Sequence, residues 1–180
     1  AGGHIVDNVG TFDTHTYDPA TRQFTLRSNM RERRWYPTCV MLPNRRVAIF
    51  SGTYTNQPGV DKRNPFVEVW MDKVGPTFTS DYIADIPDAQ RYTDRYYPFV
   101  FVDPTDGNLV FFGSGVEEDG YGSGTHVVEP NMKLSTDTWT WTSYLPLQAG
   151  VENVRLDYPS AVMIDGIVIR SGGGKLGESS

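Results

Sequence analysis

The sequence predicts an all-β chain built from repeats of about four antiparallel strands, and three observations lead there. A Tyr-Pro step opening an apolar run recurs at Tyr36, Tyr97 and Tyr158, 61 residues apart each time. A glycine follows each of these tyrosines by 16 residues, at Gly52, Gly113 and Gly174. With 12 Pro and 18 Gly scattered through 180 residues, no window of helical length keeps the i, i+3, i+4, i+7 spacing without a breaker.

The elements follow in order. DTHTYDPATRQFTL, from 13, is a pair of short strands about Asp18-Pro19, where proline presets the backbone and the carboxylate bonds nearby amides. RRWYPTCVMLPNRRVAIFSGT, over 33–53, is a hairpin: arginine, Tyr-Pro, an apolar run, a turn at Asn44-Arg45, and a second run ending in glycine. NPFVEVWMDKVGPTFTSDYI, from 64, reads as a more divergent middle copy of the segment that begins at 13. DRYYPFVFVDPTDGNLVFFGSG, over 94–115, repeats the hairpin with its turn at Asp106-Gly107. GTHVVEPNMKLSTDTWTWTSYL, from 124, shares a Thr-His pair with the first segment and has an acidic-Pro turn at Glu129-Pro130. RLDYPSAVMIDGIVIRSGGG, over 155–174, is the third hairpin, turning at Asp165-Gly166.

In the first hairpin Tyr36, Thr38, Val40 and Leu42 point to one face and Cys39 and Met41 to the other. Both faces are apolar, so both are expected to be covered. Cys39 falls on the face opposite Tyr36, roughly 10 Å away along the strand, and reads as a buried, inert thiol. Four-stranded antiparallel units that bury both faces and repeat every few tens of residues describe the blades of a β-propeller. Propellers close with about 4 to 8 blades. Residues 1–180 are therefore expected to be one partial domain, about three blades of an incomplete ring, with the remaining blades of the same propeller as partners. The ends agree: AGG at 1 and SGGG at 171 resemble the same strand end in successive repeats.

Composition narrows the partners. Lys and Arg total 16 against 22 Asp and Glu, and the net charge of -6 repels phosphate backbones and anionic lipid, so nucleic acid is not expected. Arg31, Arg33 and Arg34 are interrupted by Glu32 and read as a solvated or salt-bridged strand entrance. No stretch approaches the ~18 apolar residues of a membrane-crossing helix. The single cysteine, Cys39, allows no internal disulfide.

In RRWYPTCVMLPNRRVAIFSG, followed in order by YYPFVFVDPTDGNLVFFG and DYPSAVMIDGIVIRSGGG, the chain resembles the glyoxal oxidase family of copper radical oxidases, related to galactose oxidase. The resemblance runs over nearly all of the chain. It implies a seven-bladed, kelch-like propeller, secreted or at the cell surface, with a mononuclear copper on its axis. It also implies oxidation of small aldehydes or primary alcohols by dioxygen, releasing hydrogen peroxide. By its motif Tyr36 would be the catalytic tyrosine, cross-linked through its ring to a cysteine thioether, carrying the radical and serving as an equatorial copper ligand. Two-electron oxidation by a one-electron copper couple needs such a second redox centre, and a thioether-substituted phenol is easier to oxidise than free tyrosine. The family's cysteine lies in the preceding blade, and its Tyr-His pair and further histidine in later blades. The resemblance thus places the remaining copper ligands outside this chain, which alone would be inactive. His4, His15 and His126 follow no tyrosine and read as surface or turn residues rather than ligands.

Tyr97 and Tyr158 hold the same repeat position as Tyr36, which gives all three a second reading as rings packed between blades. The alternative function is a non-catalytic extracellular propeller module in a cell-wall, cell-surface or filament assembly, binding glycan or protein. Glu117, Glu118 and Asp119 offer calcium-type oxygens without ordered spacing and read as a loop. SGGGKLGESS lacks the P-loop arrangement. No Gly-x-Ser-x-Gly elbow, paired Cys or clustered His supports a hydrolase or zinc site.

Overall fold

The computed structural model describes residues 1–7, 9–58, 64, 66–71, 82–86, 96–116, 132–143, 156–157, 160–172 and 174–175. Among these the regular structure is β-strand, with one 3-10 turn at Pro43–Arg45 and no α-helix. No helix among the described residues is long and apolar enough to cross a membrane.

Strands β1 (His15–Asp18) and β2 (Gln23–Leu26) form a hairpin. Strands β3 (Thr38–Met41), β4 (Arg46–Phe50), β5 (Val67–Met71) and β6 (Tyr82–Ile86) form a four-stranded meander in that order. A second meander runs β7 (Tyr96–Val102), β8 (Leu109–Val116), β9 (Met132–Leu134) and β10 (Trp141–Ser143). In the third repeat β11 (Leu156–Asp157) pairs with β14 (Gly174–Lys175), and β12 (Ser160–Ile164) with β13 (Ile167–Ser171). Every pairing is antiparallel, and no sheet among the described residues closes into a barrel. The first two repeats thus each carry the four strands that their sequence pattern predicts.

Three hairpin turns solve one problem differently. Ile164 pairs with Ile167 across Asp165 (φ 50) and Gly166 (φ 80), the two positive values that a tight primed turn requires. In the second hairpin Gly107 takes φ 74, whereas in the first Arg45, the last residue of the 3-10 turn opened by Pro43, must adopt φ 65. A Cβ on Gly107 would stand 3.4 Å from the Pro43 ring, and one on Gly166 would stand 3.7 Å from the Pro104 ring. Pro43 and Pro104 are one repeat apart, so successive hairpins approach each other alike. Pro98, inside β7, has no amide to donate; the register shifts between Pro98 and Val100, a bulge that accommodates it.

Glu129-Pro130 lies outside the described residues; among the described residues, the β1–β2 turn has a counterpart in the β9–β10 turn. Arg22 and Trp139 adopt matching φ values of 56 and 57. The Asp18 carboxylate accepts from the Ala20 amide at 2.8 Å, and Ser135 Oγ accepts from the amides of Asp137 at 3.3 Å and Thr138 at 3.2 Å. A carboxylate and a hydroxyl fold the same turn in two repeats.

The core lies between the two meanders. Leu42, Ala48, Phe50, Val67 and Val69 from the first meet Val100, Leu109, Phe111, Met132 and Leu134 from the second. Phe50 and Phe111 pack edge to face at 6.4 Å, and Trp141 stands edge-on to Phe111 at 5.9 Å. Burying a side chain such as Phe50, Val69 or Leu134 contributes roughly 1.5–3 kcal/mol relative to exposure.

The expectation that both faces of the first hairpin are covered does not hold for β3. Thr38 and Val40 are half-buried toward the second meander, while Cys39 and Met41 alternate outward and are exposed. Cys39 is therefore not a buried thiol: its side of β3 is open among the described residues. The third hairpin also has an open side. Val162 pairs with Ile169 and Ile164 with Ile167, and all four side chains are exposed on one face.

Candidate functional site

The Arg-rich lead-in to Tyr36 is anchored by a fully buried ion pair. Arg34 Nη2 donates to Glu68 Oε1 on β5 at 3.0 Å and to the Phe66 carbonyl at 2.8 Å, while Nη1 donates to the Ser51 carbonyl at 2.8 Å. Glu68 Oε2 in turn accepts from the Arg31 amide at 3.0 Å. Charges shut off from water persist only when paired and hydrogen-bonded in this way. Buried Asn64 adds a brace, donating from Nδ2 to the Arg33 carbonyl at 3.1 Å. Arg31 lies 4.8 Å over the Phe66 ring and Arg33 4.6 Å over Phe12. The salt-bridged entrance expected from sequence is present at Arg34, and the two outer arginines cover aromatic faces.

The backbone here is tightly enclosed. Trp35 exchanges two hydrogen bonds of 2.9 Å with Thr53, and the Arg34 amide donates to the Thr11 carbonyl at 3.2 Å. Gly10 has no room for a side chain, because a Cβ there would overlap the Arg34 carbonyl group. A Cβ on Gly52 (φ 83) would stand 2.9 Å from the Trp35 carbonyl oxygen.

On this support stands an aromatic column. Trp35 stacks on Tyr36 with ring centroids 4.1 Å apart and an interplanar angle of 16°, and Tyr36 stacks on Tyr97 at 4.9 Å and 20°. Tyr36 is 39% exposed and Tyr97 43%. Both precede a proline with left-handed backbones, φ 62 and 45. The Tyr97 amide donates to the Tyr36 carbonyl at 3.2 Å, and Thr38 Oγ1 donates to the Pro98 carbonyl at 2.9 Å, so the first strands of successive repeats are joined at their Tyr-Pro steps. At the far end of the column Trp35 Nε1 donates to His4 Nδ1 at 2.7 Å.

That last bond defines His4. Its Nδ1 is the acceptor of the Trp35 indole N–H. His15 is exposed on β1 opposite Leu26. His126, Tyr158, Glu117, Glu118 and Asp119 lie outside the described residues. Among the described residues no group of three or more His, Cys, Asp and Glu is arranged to hold a metal ion.

A second ionic cluster pins the β7–β8 turn to β9. Lys133 Nζ meets Asp103 Oδ2 at 2.8 Å and Asp106 Oδ2 at 2.6 Å. The Lys133 hydrogen bond, followed by that of Thr105, holds the Asp103 carboxyl far below the usual carboxylate range. Burial opposes the charge on Lys133, but its bonds to both aspartates outweigh burial and raise its pKa.

The sequence singles out Tyr36 as a candidate, and the structure adds the residues around it. The 61-residue spacing of Tyr36 and Tyr97 was the signal for their contact, whereas nothing in the local sequence marks Glu68 as the partner of Arg34. No protein-family model and no curated protein matches the chain.

Proposed function

We propose that the chain forms consecutive blades of a kelch-like β-propeller and contributes Tyr36 to a secreted or cell-surface copper radical oxidase of the glyoxal oxidase and galactose oxidase type. The observation that carries this reading is the state of Tyr36. Its accessible phenol is sandwiched between Trp35 and Tyr97, on a left-handed backbone rooted in a buried ion pair. A non-glycine residue held so costs on the order of 1–3 kcal/mol, and such strain concentrates at functional sites. Neighbouring π faces would also spread the charge of an oxidised ring.

The blade arrangement is supported by the packing of the first meander on the second and by the outward aliphatic face of β12–β13. Val162 falls one repeat after Phe101 and two after Val40, and Val40 faces the following repeat. A further blade would cover Val162 in the same way.

Tyr36 fits copper as one donor, a phenol oxygen on a fixed backbone; the other ligands would come from other blades. Copper, when bound, would accept one electron of each two-electron oxidation of a small aldehyde or primary alcohol, with dioxygen reduced to hydrogen peroxide. Tyr36 would hold and return the other electron at its ring and the proton at its hydroxyl oxygen. Peroxide release by the copper-loaded full-length protein, with aldehyde and primary alcohol substrates, tests this. Tyr36→Phe should lower the rate at least ~100-fold, the lower end of what a lost catalytic group costs; an unchanged rate would refute the assignment.

The like placement of Tyr97 favours a second reading, in which both tyrosines are inter-repeat packing in a non-catalytic extracellular module that binds glycan or protein. Tyr36→Ala and Tyr97→Ala, which remove the rings, would then lower Tm alike, and copper would leave Tm unchanged.

A further inference from the structure

We infer that Tyr36 and Tyr97 form an oxidative modification site, where a one-electron oxidant couples the two rings into an intramolecular dityrosine. The rings lie 4.9 Å apart and within 20° of parallel, and both are solvent-accessible. Their spacing is fixed by backbone, through the Tyr97 amide bond to the Tyr36 carbonyl at 3.2 Å and the Thr38 bond to Pro98 one residue on. Two phenols are thus held in contact although 61 residues separate them.

Tyr17 shows that exposure alone does not make such a site. It is 51% exposed, but it packs against the Phe24 ring at 4.9 Å, which has no phenol to couple. Trp35, stacked at 4.1 Å, extends the target: an electron hole arriving on its indole can pass to Tyr36, where loss of the phenolic proton traps it as a neutral radical.

The chemistry balances with a haem peroxidase and hydrogen peroxide as oxidant. Each phenol loses one electron and its hydroxyl proton. A carbon–carbon bond forms between ring carbons ortho to the two hydroxyls, and the two ortho hydrogens leave as protons while the hydroxyls are restored. In sum two electrons and two protons pass to one hydrogen peroxide, giving two waters. No copper takes part, so the inference stands apart from the oxidase reading.

The test treats the intact protein, in chelator, with a haem peroxidase and peroxide. The expected product is a monomer lighter by two hydrogens, with the blue fluorescence of dityrosine and a cross-linked peptide joining positions 36 and 97. Tyr36→Phe or Tyr97→Phe, which keep the rings and so the packing, should abolish the signal, and Tyr17→Phe should leave it intact. Peptide mapping of the unsubstituted protein decides the matter even if a variant misfolds. An unchanged mass, oxygenation of Trp35 in place of coupling, or a cross-link mapped to other tyrosines would overturn the inference.

Discussion

Arg34 donates to Glu68 at 3.0 Å with both side chains wholly out of solvent, and this pair fastens the segment before Tyr36 to the second strand-to-strand seam of the first sheet. Glu68 also receives the Arg31 amide, so one carboxylate fixes three residues of lead-in to one strand.

Removing either partner should therefore be severe. Glu68→Leu and Arg34→Met are each expected to cost about 3–5 kcal/mol, because the survivor is left as an unpaired buried charge. The double variant Arg34→Met/Glu68→Leu should lose much less than the sum. Urea unfolding of all three measures the coupling, and strict additivity would argue against it.

Gly10→Ala should destabilise the chain by roughly 1–3 kcal/mol through overpacking, since the new methyl meets the Arg34 carbonyl group. Hydrogen exchange should quicken at the Arg34 and Trp35 amides, while the β9–β10 turn stays protected.

The Asp103–Lys133–Asp106 cluster predicts acid sensitivity. The folded pKa of Asp103 lies below its unfolded value, so its contribution is complete above about pH 4 and is lost as pH falls toward the folded value. Lys133, whose pKa is raised, contributes below about pH 10 and loses that contribution in stronger alkali. Asp103→Asn should flatten the acid limb of a Tm-against-pH curve, and Lys133→Met should flatten both limbs.

Cys39 should react with one equivalent of a water-soluble thiol reagent in the absence of denaturant, at a rate close to that of the unfolded chain. Protection would restore the buried position expected from the strand pattern.

What sequence made legible was periodic. The 61-residue interval and the Tyr-Pro steps located the starts of β3 and β7, and Asp-Gly pairs located two of the three hairpin turns. Cys39 was misjudged because an apolar residue on a strand implies a covering layer only if one is present on that side. The equivalence of the Asp18 and Ser135 turns escaped because it rests on a side-chain oxygen bonding amides two and three residues on, which aspartate and serine do equally well. The Arg34–Glu68 pair joins residues 34 positions apart and leaves no mark on either local pattern.

The outward row of Val162, Ile164, Ile167 and Ile169 has a practical outcome for anyone preparing this polypeptide by itself. Four β-branched side chains on one short ribbon are a template for aggregation. Insoluble expression is the expected behaviour, and lysine at 162 and 169 is the remedy that leaves the turn untouched.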